Sequence, residues 1–213
     1  MTVTGTAEVR AAPDVAVVTL GVESRAATAA TARAAASEAM QGLLAQLRAS
    51  GVADADIQTS NLELEPDYDH RDGTAVLRGY RVSNQAAVTL RDLARAGDVI
   101  DAALDAAGDA ARLHGVRFSF ADAAPLYDQA RRGAMADARQ RAAVFADSAG
   151  VAVGEVLEIT EMDGSNGEPG PRVMFAARAA SMPVQAGEAG ITASVRVQFA
   201  LEPPKTRKTG KPR

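Results

Sequence analysis

The sequence predicts an α+β fold, with mixed, mainly antiparallel sheets, long hairpins and three principal helices packed on them. Three observations carry this. Apolar residues alternate with a period of two in short runs, as in strands with one dry face. They recur every three to four residues in three longer runs, each closed by a glycine: Gly51, Gly108 and Gly150. The resulting order, β-β-α-β-β-α-β-α-β-β, interleaves hairpins with helices, which sets helices against one face of a sheet.

Taken in order, residues 2–10 alternate loosely and stop at Pro13, which cannot donate a ladder hydrogen bond. Val15, Val17, Val18, Leu20 and Val22 form a β run, so two adjacent strands are expected around Pro13-Asp14. From Ala26 to Ser50, Ala32, Ala36, Met40, Leu43, Leu44 and Leu47 lie on one helix face. Asp56–Tyr80 reads as a long hairpin with a polar tip. Leu62 and Leu64 are expected on its dry face, Glu63 and Glu65 on its wet one. Its return strand runs to Leu90. Asp92 is an N-cap candidate for a second helix, with Leu93, Ala96, Ile100, Ala103, Leu104 and Ala107 inward. Val116–Phe120 is a short strand. A third helix opens at Asp122 with Pro125 in its first turn, and its expected stripe is Tyr127, Ala130, Ala134, Ala138, Ala142, Phe145 and Ala149. Asp128 with Arg132, and Asp137 with Arg141, are spaced as exposed ion pairs. Glu155–Met162 is strand-like, Asp163–Pro171 is a Gly- and Pro-rich loop, and Val173–Arg178 reads either way. In Ile191–Leu201, Val195, Val197, Phe199 and Leu201 point in. The two front ββα stretches suggest a weak internal repeat. The expected organisation is one body over residues 1–202, divisible into two intertwined sub-domains, and a basic, disordered tail over 203–213.

Composition narrows the function classes. The chain has 213 residues, 47% hydrophobic and 4% aromatic, with no Trp, so Ala, Val, Leu and Ile must build the core. Aromatic-lined ligand pockets are disfavoured by that count. With no Cys, disulfides, thiolate metal sites and thiol nucleophiles are excluded. The tail carries five basic residues and no acid; set against a net charge of −4, this leaves the body at −9. So acidic a body argues against nucleic acid as partner. The tail is read as solvated, with weak contact to anionic surfaces as the alternative. No run of about 18 apolar residues is present to form a spanning helix. Met1 leads directly into Val3-Thr4-Gly5 without a leader pattern, so the expectation is a cytoplasmic protein or one whose leader has been removed.

The search for chemistry assigns no catalytic, cofactor-binding or metal-ligating residue. His70 and His114 are the two histidines, and Gly-x-Ser-x-Gly is absent. His70-Arg71-Asp72 spells a kinase-like tripeptide, but Leu77 stands where Asn is required. Asp67, Asp69 and Asp72-Gly73 hint at a calcium loop, yet Arg71 and Arg78 occupy ligand positions, so a solvated turn is the reading. Gly164–Gly170 lacks the Gly-Lys-Ser/Thr of a phosphate cradle, and Gly5-Thr6-Ala7-Glu8 is no dinucleotide fingerprint. Asp98, Asp101 and Asp105 form an acidic helix face, solvated or a polar subunit contact. Arg131 and Arg132 sit near a helix start, where the dipole disfavours cations, and suggest a carboxylate on a partner.

A series of small motifs remains: Val3-Thr4-Gly5; Pro13-Asp14 before a β run; Gly51-Val52 followed by Asp56-Ile57-Gln58-Thr59; Pro66 and Tyr68; Gly79-Tyr80 with Asn84. It continues with Gly97, Asp101 and Gly108, then Ala130-Arg131, then Pro183 and Gly187-Glu188 before the last strand. In order and spacing this series resembles the SIMPL-domain family, which includes bacterial periplasmic immunogenic proteins, over nearly all of Val3–Leu201. The resemblance implies an α+β fold, no established enzymatic activity, self-assembly into rings or larger oligomers in some members, and links to oxidative or envelope stress. It supplies no catalytic motif, and it suggests a periplasmic or envelope location. Two departures stand out: family members usually carry an N-terminal leader, and the usual second Gly of the opening strand is Ala7 here. The expected function is therefore a non-enzymatic, self-associating protein linked to stress, acting through its long hairpin and Arg-bearing third helix. The alternatives are a binding module for a small apolar ligand or peptide and, third, a hydrolase using His70 or His114.

Overall fold

The computed structural model describes residues 1–71, 74–162 and 187–203. Its strands are β1 (Thr2–Ala11), β2 (Val15–Ala26), β3 (Ile57–Arg71), β4 (Thr74–Leu90), β5 (Ala111–Ser119), β6 (Ala152–Met162) and β7 (Ala189–Glu202). Its helices are α1 (Ala29–Ala49), α2 (Ala96–Ala107) and α3 (Ala124–Ala149). These form two compact units. Every ladder described is antiparallel, so the α+β reading holds and the sheets contain no described parallel pair.

The first unit holds a sheet of order β1-β7-β6 with α3 against it. Ile191, Ala193, Val195, Val197 and Phe199 are buried at every second position of β7, as their alternation requires. Ala130, Ala134, Ala138, Ala142 and Ala146 are buried on α3. A strict spacing of four traces one inclined ridge on a helix. With only methyl groups on that ridge the helix backbone comes close to β1. A Cβ on Gly5 would collide with the backbone carbonyl of Ala134 and lie 2.5 Å from the Ala138 nitrogen. Ala7 meets a glycine on the helix: a Cβ on Gly133 would stand 2.7 Å from the Ala7 Cβ. The inward stripe expected for this helix is corrected at its far end. Phe145 is 60% exposed and Ala149 is exposed, because the alanine ridge continues through Ala146. Leu201, expected inside, is 50% exposed at the end of β7.

The second unit holds a sheet of order β3-β4-β2-β5 with α1 and α2. Its core joins Val18, Leu20 and Val22 of β2 and Val82, Ala86 and Val88 of β4 with Phe118 of β5. Ala36, Met40, Leu43 and Leu47 of α1 meet them, and Ile100 and Ala103 of α2 complete the cluster. Thr28 caps α1, accepting from the Thr31 N–H at 3.2 Å. Gly51, with φ +93°, follows the helix end in a conformation that favours glycine. Asp92 caps a short 3-10 turn, Leu93–Arg95, that runs into α2, so the helix proper begins at Ala96. β5 is longer than Val116–Phe120, the strand read from the sequence: it starts at Ala111.

Two expectations about the first strands are overturned. β1 pairs with β7 and β2 with β4 and β5, so the strands flanking Pro13 belong to different sheets. Since β3 and β4 do pair with each other, the two front ββα stretches are not structural repeats. The stretches Asp163–Pro171 and Val173–Arg178, Pro183, the tip residues Asp72-Gly73 and the tail from Pro204 lie outside the described residues.

Candidate interaction surface

The most distinctive surface of the second unit is its hairpin. In the β3–β4 register, Leu64 stands opposite Val82, Leu62 opposite Asn84, Pro66 opposite Tyr80 and Tyr68 opposite Leu77. Val82 is buried in the core and Tyr80 packs partly against it, so these rows lie on the sheet face that the helices cover. The register skips Ser60, which resets the alternation: Thr59 and then Leu62 fall on that face. The period-of-two reading of Leu62 and Leu64 is thus right about the face. It is wrong about burial. Leu62 is 68% exposed and Tyr68 50% exposed, with Leu64 and Leu77 also open. The cause is coverage: α1 lies over β2 and β4 and barely reaches β3. Leucines opened in this way form a contiguous apolar strip along one flank, which is the usual mark of an interaction site. Among the described residues, one buried side-chain polar atom has no described partner: Asn84 Oδ1, in the same cross-strand row as Leu62.

The opposite face of the hairpin is charged. Glu63, Glu65 and Asp67 alternate along β3 on that side. Glu65 accepts from Arg81 at 2.8 Å, and Asp67 approaches Arg25 at 4.0 Å. At the base of the hairpin Arg91 grips Asp56 with two hydrogen bonds, 2.6 and 2.9 Å. That fork lowers the Asp56 pKa, chiefly by hydrogen bonding to its charged form. The sequence reading missed this clamp, because its partners stand 35 positions apart.

The arginines of α3 do not match the reading made of them. Arg131 is held within its own unit: it donates to Glu161 at 2.8 Å and Asp128 at 3.3 Å, and its guanidinium lies 5.8 Å from the Tyr127 ring centre. Those internal carboxylates remove the reason to seek one on a partner. They also take Asp128 away from Arg132, whereas Asp137 and Arg141 pair as expected at 2.8 Å. Asp137 also accepts the Thr6 backbone N–H at 2.9 Å, and that bond, then Arg141, lowers its pKa.

The remaining candidates are dispersed. His114 is exposed on β5 at the residue the β2–β5 register skips, while the His70 side chain lies outside what is described. Asp98 and Asp105 are exposed on α2, and Asp101 is half-buried and engaged. Among the described residues no three His, Asp or Glu side chains gather as a metal site would require, and no helix is long and apolar enough to cross a membrane.

Comparison with known proteins identifies the family and several relatives of the chain. The model of a family named SIMPL and described as "Protein of unknown function (DUF541)" matches residues 1–199. The chain is 32% identical over 218 residues to the "26 kDa periplasmic immunogenic protein" of Brucella abortus (strain S19), covering 94% of this chain and 84% of that one. It is 40% identical over 102 residues to the "Uncharacterized protein YggE" of Escherichia coli (strain K12), covering 48% of this chain and 42% of that one. The match thus spans less than half the length of the YggE protein.

Proposed function

Because the chain belongs to the SIMPL family of proteins of unknown function, we propose that it is a non-enzymatic protein that works by associating with further copies of itself. The observation that carries this reading is the open apolar strip of the hairpin, Leu62, Leu64, Tyr68 and Leu77 on one face. An exposed leucine alone means little, but four large apolar groups aligned on one sheet face are costly to leave in water. At roughly 25 cal/mol per Å², covering most of a leucine side chain contributes about 1.5–3 kcal/mol. A second copy is the favoured occupant because it carries the same strip, so one encounter covers apolar surface on both partners. The periplasmic name of the Brucella relative supports an envelope location for this chain. A link to oxidative or envelope stress rests on the family resemblance alone.

The test is molar mass by light scattering across a micromolar concentration series. The expected result is a mass above the 22.0 kDa of one chain, falling towards it on dilution and in a Leu62→Ser/Leu64→Ser variant. A mass of one chain throughout the series refutes the reading. A variant that assembles as the parent does removes the strip from it.

A further inference from the structure

Val144 and Phe145 of α3 and Leu201 of β7 lie open at the end of the first unit from which the basic C-terminal stretch departs, and we infer that this end binds the surface of an anionic lipid bilayer. This contact is independent of the self-association proposed above.

Topology brings the three side chains to one end. α3 closes at Ala149, β6 begins three residues later at Ala152, and Ala152 pairs with Glu202 at the end of β7. Leu201, opposite Val153, therefore sits where α3 finishes. Phe145 stands about one helical turn before Ala149, with Val144 next to it. Ala142 and Ala146 take the inward positions there, which leaves the two larger side chains between them facing out, each 60% exposed. One exposed apolar residue is ordinary on a protein surface, but several large ones gathered at one place mark a contact.

Charge at this end runs against the rest of the chain. Residues 203–213 carry Lys205, Arg207, Lys208, Lys211 and Arg213 and no acid. With Arg139 and Arg141 of α3 they make seven basic residues over 137–155 and 201–213, against the four acids Asp137, Asp147, Glu155 and Glu202. Asp137 is already held by Arg141 at 2.8 Å. The net sign is positive here, in a chain whose formal charge is −4.

Cations beside exposed apolar groups fit a bilayer better than a soluble polyanion. A nucleic acid would use the basic residues alone, gain nothing from Phe145, and be repelled by the acidic body. An anionic bilayer uses both: headgroup phosphates take the cations, and the boundary with the acyl chains takes Val144, Phe145 and Leu201. Firm peripheral binding requires two such signals together. Each Lys or Arg held at an anionic surface strengthens binding by about fivefold at low salt, and that share fades as salt screens it.

The experiment is flotation of the full chain with vesicles of phosphatidylcholine alone, or of phosphatidylcholine and phosphatidylglycerol in equal parts, at low salt and at about 0.5 M salt. Two variants accompany it: one lacking residues 204–213, and Val144→Ser/Phe145→Ser. Circular dichroism establishes that each is folded, and Phe145→Ser alone stands in if the double variant is not. The parent should partition at least about tenfold more strongly onto the anionic vesicles. Removing 204–213 should bring it down to the neutral-vesicle level. The serine variant should bind about five- to tenfold more weakly than the parent and lose its remaining binding at high salt. A parent without preference for anionic vesicles, or a shortened chain that binds as the parent does, overturns the contact. A serine variant that binds as the parent does also overturns it, because the basic stretch then acts as a plain polycation. Light scattering reads self-association separately, so a chain of single mass that still floats with anionic vesicles refutes that proposal and keeps this one.

Discussion

Replacing Gly133 by alanine sets two physical effects against each other. Gly133 lies in the interior of α3, where glycine is worse than alanine by about 1 kcal/mol on helix propensity. By that measure alone Gly133→Ala stabilises. The structure argues the reverse. The new Cβ would stand 2.7 Å from the Ala7 Cβ, while relaxed carbon contacts lie near 3.5–4.0 Å, so helix and strand must separate by roughly 1 Å. Both atoms are first side-chain atoms and neither can escape by a rotamer change. Overpacking of this kind costs about 1–3 kcal/mol, and with no rotamer escape the upper half of that range applies. Subtracting the propensity gain leaves a net loss of about 1–2 kcal/mol. Urea unfolding followed by circular dichroism measures it. Ala7→Gly combined with Gly133→Ala should recover most of the loss, with a coupling of about 1–3 kcal/mol between the two sites. A Gly133→Ala protein more stable than the parent refutes the close approach of α3 to β1.

Further expectations follow from the same packing. Gly5→Ala should cost more than Gly133→Ala, about 3 kcal/mol or more, since its Cβ meets the backbone of Ala134 and Ala138, which cannot rotate away; the same urea titration checks it. Leu43→Ala, at a fully buried position, should cost about 2–5 kcal/mol, whereas Phe145→Ala should stay within about 0.5 kcal/mol in the dissociated chain. The Arg91 fork holds the Asp56 carboxyl below the ordinary carboxylate range, and the Thr6 N–H, then Arg141, does the same for Asp137. Their contribution is therefore present above the unfolded pKa and lost as pH falls through the folded one. Unfolding midpoints should drop below about pH 4, and Asp56→Asn should flatten part of that drop; an unchanged slope refutes the role given to the Arg91 clamp.

The sequence alone determined the helices, their glycine ends, most inward stripes and the parity of the hairpin. Those features depend on neighbours within a few residues: Ala32 with Ala36, Leu43 with Leu47, Leu62 with Leu64. The resemblance to the SIMPL family was equally readable, because it lives in the order of short motifs. Tertiary structure alone decided which strand pairs with which. Pro13 marks a break equally well between paired strands and between strands of different sheets, and only the ladders of β1 with β7 and β2 with β4 distinguish them. Burial was likewise undecided, since a period of two names a face and not its cover. Leu62 and Phe145 lie open because α1 stops short of β3 and the alanine ridge of α3 turns through Ala146.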